Sequence, residues 1–106
     1  MVYSYFWYMT NNRDYKFESY EFAKQNGFKV SDYDLAMNGV VRGSDTYDAL
    51  ENLFMLMNSS QSNHPGIRSM SVSDIVLLGP TDSEGGIEVY YCDDAGWTRL
   101  DFWEDM

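Results

Sequence analysis

The sequence predicts an α+β domain: a mainly antiparallel sheet with two helices on one face, in the order β-α-β-α-β-β-β. Three observations carry this. An aromatic run without helical period, "VYSYFWYM", opens the chain. A single stretch, "SDTYDALENLFMLMN", sets apolar residues at helical spacing behind a capping residue. The last third alternates short β-forming runs with turns rich in Gly and Pro. Residues 1–106 have the length of one domain, and 44% apolar content supplies one core.

Val2 to Met9 is the first expected strand. Val2, Phe6 and Tyr8 fall on one face, and Tyr3, Tyr5, Trp7 and Met9 on the other. A strand apolar on both faces belongs in the interior of its sheet. "TNNRD" ends it, and "FESYEFAKQNG" predicts a short helix from Phe17 to Asn26. Gly27 suits the left-handed position after the helix, and Glu21 pairs with Lys24 along its surface.

Asp34 to Arg42 reads as the second strand, with Gly39 marking a weak point or bulge. The second helix starts at a Ser44 or Asp45 cap and carries Asp48 in its first turn. Its apolar stripe is Tyr47, Leu50, Leu53, Phe54 and Met57, expected against Phe6, Ile75 and Val89. "SSQSNHPG" is a loop of turn formers. Ile75–Leu78, Ile87–Asp93 and Trp97–Phe102 complete a meander, with Gly96 taking positive φ at the "DDAG" hairpin. With both helices on one face, the other face is expected to stay aromatic and partly bare.

The formal charge of −10 is unevenly spread. Residues 1–73 hold eight acids and six bases, whereas residues 74–106 hold nine acids and one base, Arg99. Such a chain lacks the cations that direct binding to DNA, RNA or an anionic membrane requires. Its expected partners are cations or basic protein surfaces. Asp82, Glu84, Asp93, Asp94, Asp101 and Glu104 are the candidate contact acids, with Tyr90 and Trp97 as aromatic anchors.

Little in the sequence points to catalysis. The single histidine, His64, sits in a polar loop without a nucleophile elbow nearby. The single cysteine, Cys92, lies beside acids that would raise its pKa. One Cys and one His do not make a zinc site, and "TDSEGG" lacks the order of a calcium loop. The expectation is a non-enzyme without cofactor or metal. No apolar run reaches the ~18 residues of a membrane span. The N-terminus lacks the basic segment and cleavage site of a signal peptide, so a cytoplasmic location is expected.

"RSMSVSDIVLL" followed by "YYCDDAGWTRL" resembles the YodL-like domain family of Gram-positive bacteria, phages and mobile elements. Arg68, Ser69, Ser71, Val72, Ser73, Asp74, Val76 and Leu78 fit its first block. Tyr90, Tyr91, Asp93 and Gly96 fit the second, with Met70, Cys92 and Trp97 replacing Leu, Val and Phe. The resemblance runs from Arg68 to Leu100 and implies no catalytic role. It implies a bacterial or phage cytosol and a mobile-element setting. The motif itself reads as structural: Ser71 and Ser73 bond nearby amides, and Asp74 caps the turn before a strand.

Two functions follow as expectations. In the first, the acidic end imitates a nucleic-acid backbone and blocks a basic channel on a host protein, as an anti-CRISPR, anti-restriction or transcription inhibitor would. In the alternative, a non-enzymatic interaction module binds through an aromatic sheet face, and the acids keep it soluble.

Overall fold

The computed structural model describes residues 1–59, 68–81 and 86–101. The elements are β1 (Val2–Thr10), α1 (Tyr20–Gln25), a 3-10 turn (Val30–Asp32), β2 (Tyr33–Arg42), α2 (Thr46–Met57), β3 (Ile75–Pro80), β4 (Glu88–Asp93) and β5 (Gly96–Leu100). The expected order is therefore observed. The five strands form one antiparallel sheet in the order β2-β1-β3-β4-β5. His64, Asp82, Glu84 and Glu104 lie outside the described residues.

β1 lies inside the sheet, as its two apolar faces require. Its bulge partner is β2, where the register shifts opposite Trp7 and Tyr8, between Met37 and Leu35 rather than at Gly39. Gly39 instead faces Tyr5, whose ring lies 3.2 Å from where a Cβ would be. β2 and β3 flank β1 and both run antiparallel to it, so α2 carries the chain across β1.

The caps follow local chemistry. Asp45 accepts from the Asp48 amide at 2.8 Å, and Asp48 reaches back to the Ser44 amide at 2.8 Å. Ser19 caps α1 by accepting from Phe22 N, which places Phe17 before the helix rather than in it. Gly27 and Gly96 have φ of +89° and +110°, as their turns demand. The Glu21–Lys24 pair forms at 3.2 Å.

The helices do not share a face. α2 places Ala49, Leu50, Leu53 and Met57 against Tyr3, Tyr5, Trp7, Val76, Leu78 and Tyr90. The segment containing α1 packs Tyr15, Ala23 and Phe28 on the opposite face, against Tyr33, Ile75, Val89 and Tyr91. Ile75 and Val89 are thus core residues, but away from α2, and Phe6 pairs with Leu77 on their side of the sheet. The reason is parity: successive strand residues point to opposite faces, so a strand such as "IVLL" needs a layer on each. The second face is aromatic as expected, but covered. Tyr20 stands 5.1 Å from Tyr91 and 5.5 Å from Phe28, ring to ring.

Candidate functional site

β4 and β5 are joined by a two-residue hairpin, Asp94–Ala95, next to Glu51 and Phe54 of α2. Between the hairpin and the helix lies an open cleft of about 290 Å³. Glu51 and Phe54 form its helical wall, and Asp93, Asp94 and Trp97 its hairpin wall. Cys92 and Val72 also line it. The Trp97 indole N–H donates to Glu51 at 3.0 Å and its ring meets Phe54 edge-on at 6.4 Å. Two aromatic surfaces and several carboxylates thus converge, an arrangement suited to the stem and charge of an Arg or Lys side chain.

The expected contact residues fall into three groups. Asp94 and Trp97 line the cleft, and Asp101 is exposed at the end of β5. Asp93 lines it as well, but its oxygens are already engaged. It accepts from Thr98 Oγ1 at 2.6 Å, Asp94 N at 2.9 Å and Tyr20 N at 3.3 Å. Partial burial acts to raise the Asp93 carboxyl, but these three donors outweigh it and hold the group below its usual range. Tyr90 is a core residue, 2% exposed, with its hydroxyl donating to Glu88 at 2.7 Å. It is therefore not a partner anchor: its face of β4 is the one covered by α2. Asp82, Glu84 and Glu104 lie outside the described residues.

Glu51 and Phe54 carry no signal in the sequence beyond their places on α2. Their role depends on Trp97, which is 46 residues from Glu51. Cys92 is buried, and burial, followed by Asp74, Glu51 and Asp93, pushes its thiol up to about 12. A thiol so protonated is a packing group rather than a nucleophile.

Beneath the hairpin the "RSMSVSD" segment forms a polar knot. The fully buried Asp74 carboxylate accepts from Trp7 Nε1 at 3.0 Å, Ser71 N at 2.9 Å, and Arg68 at 2.6 and 3.1 Å. Burial raises its pKa, and Arg68, Ser71 N and Trp7 oppose that shift. Asp74 caps the turn, as expected. Ser73 reaches farther: its hydroxyl accepts from Phe17 N at 3.0 Å, and its carbonyl from the Tyr33 hydroxyl at 2.7 Å. Backbone bonds Ser73 N to Cys92 O and Cys92 N to Asp74 O fasten the knot to β4. These contacts give the two blocks of the motif a common purpose, since each holds the other.

Among the described residues no helix is long and apolar enough to cross a membrane. No curated protein and no solved structure is matched by this chain. The sequence pattern of the YodL-like domain matches residues 5–102, so the likeness extends well beyond Arg68–Leu100 to include most of β1, both helices and β2. The chain belongs to the YodL-like domain family.

Proposed function

We propose that this YodL-like domain is a small non-enzymatic protein of a phage or mobile element, working in the host cytoplasm. It binds a basic surface on a host protein that normally handles nucleic acid, and inhibits it by occupying that surface. Restriction, CRISPR and transcription enzymes present such surfaces. The observation that carries the reading is the cleft of Glu51, Phe54, Asp94 and Trp97, which offers a basic side chain both an aromatic stem contact and a counter-charge. The concentration of acids in residues 74–106 supports it, because a one-sign field steers a basic partner and repels competing nucleic acid.

The test uses the intact chain as bait in host lysate at low and high salt, beside a Glu51→Lys, Asp94→Lys variant. The expected result is a nucleic-acid-binding protein held by the wild type at low salt, lost with the variant, and competed by its own DNA or RNA. A partner captured equally by both baits and indifferent to nucleic acid rejects the proposal.

A further inference from the structure

We propose that the depression formed by Asn11, Arg13, Lys16 and Phe17 is a second binding site, for a small phosphate monoester carrying a planar ring, the nucleoside monophosphate class. It shares no lining residue with the acidic cleft.

Charge is the first ground. In a chain of net −10, this lining contributes two cations and no carboxylate. The ion pairs among the described residues involve Lys24, Arg68 and Arg99, not Arg13 or Lys16. The Lys16 ammonium lies over the Phe17 ring, 5.1 Å from its centroid. A ring positions a cation without neutralising it, so the charge stays available to an anion. Arg68 lies 5.1 Å from the same ring, but its charge is met by Asp74.

Conformation is the second ground. Phe17 has φ of +68°, a left-handed conformation that is strained for a side chain of this size. The residue is 52% exposed, so core packing does not account for the strain. The conformation is enforced from below: Phe17 N–H donates to Ser73 Oγ, and the buried Ser73 itself has φ of +85°. Two residues of the family motif, Arg68 and Ser73, therefore hold an aromatic ring out toward solvent. Strain preserved at an exposed ring is a mark of a ligand contact.

The loop below the ring is organised in advance. Asn12 receives Asp14 N at 2.9 Å, accepts Lys16 N on its carbonyl at 3.0 Å, and donates to Asp32 at 2.8 Å. These internal bonds fix the backbone that carries Arg13 and Lys16, which lowers the ordering cost of binding.

The ligand class follows from these parts. A phosphate monoester carries close to two negative charges at neutral pH, matching Arg13 and Lys16. A planar ring complements the part of Phe17 left exposed beside the Lys16 and Arg68 cations. The depression, about 530 Å³, has room for a molecule of that size. A long nucleic acid would instead meet the repulsion of the remaining acidic surface.

The test is a proton–nitrogen NMR titration of the full chain at low salt with adenosine monophosphate, ribose 5-phosphate, adenosine and inorganic phosphate. Adenosine monophosphate is expected to shift the amides of residues 11–17, binding at least ~10-fold more tightly than ribose 5-phosphate or inorganic phosphate. Arg13→Gln with Lys16→Gln should weaken it by at least ~10-fold. Phe17→Gly accepts the left-handed conformation without strain, so its melting temperature should be unchanged or higher while the preference for the ring-bearing ligand disappears. Equal binding of inorganic phosphate and adenosine monophosphate means an adventitious ion only and overturns the proposal. So do shifts that survive the double variant, or no localised shifts at all.

Discussion

The indole of Trp7 donates a 3.0 Å hydrogen bond to the buried carboxylate of Asp74, 67 residues away in sequence. The bond ties the interior strand β1 to the turn that precedes β3. The same carboxylate collects Arg68 and the Ser71 amide, so every one of these contacts is a donor to it. A buried carboxylate with only donors around it is satisfied as an anion.

Removing that anion leaves a buried indole, an amide and a guanidinium without their acceptor. Asp74→Ala is expected to cost about 3–5 kcal/mol, the usual result of breaking a buried pair from one side. Asp74→Asn keeps one acceptor oxygen and should cost less. Urea unfolding of the two variants measures the difference. A loss below about 1 kcal/mol for Asp74→Ala would show that the knot is not a stabilising centre.

The α2 interface makes a sharper contrast. Leu53 is fully buried and Met55 is 68% exposed on the same helix. Leu53→Ala should destabilise by about 2–5 kcal/mol, and Met55→Ala by no more than about 0.5 kcal/mol. Equal effects in thermal or chemical unfolding would mean that α2 is docked by a different side.

Asp93 predicts an acid-sensitive hairpin. Its folded pKa lies below the unfolded value, so its stabilising effect is fully present above the unfolded pKa of about 3.9. The effect is lost as pH falls from there through the folded pKa. The stability gap between wild type and Asp93→Asn should therefore shrink over that acid window and be constant at neutral pH. Denaturant titrations at stepped pH, with NMR of the Tyr20 and Asp94 amides, check the sign. A gap that widens on acidification contradicts it.

Partner binding should divide by residue type. Reversing Glu51, Asp94 and Asp101 to Lys is expected to slow association and remove its salt dependence with the fold intact. Asp93 belongs in no such variant, because it holds Tyr20 and Thr98 in place. Nor does Tyr90, whose loss would hollow the core. Trp97→Ala should raise the dissociation rate at every salt concentration. Surface-plasmon kinetics across a NaCl series separate the two effects, and affinity that is flat with salt in both proteins defeats the electrostatic reading.

Features written within a few residues were legible in the sequence alone. A cap at Ser44 or Asp45, of which the structure takes Asp45, the Leu50–Leu53–Met57 stripe, the left-handed glycines Gly27 and Gly96 and the interior position of β1 all follow from nearby residues. The tertiary structure decided what depends on distant partners. Strand parity does not say which helix covers which face, so Ile75 and Val89 met the α1 layer instead of α2. Asp93 and Asp94 are equivalent letters in a turn until Tyr20 and Thr98 engage one of them. The left-handed Phe17 is imposed by Ser73, 56 residues away, and no local propensity favours it. Local periodicity and capping chose the elements, while long-range burial and hydrogen bonding settled which charges and rings remain free to act.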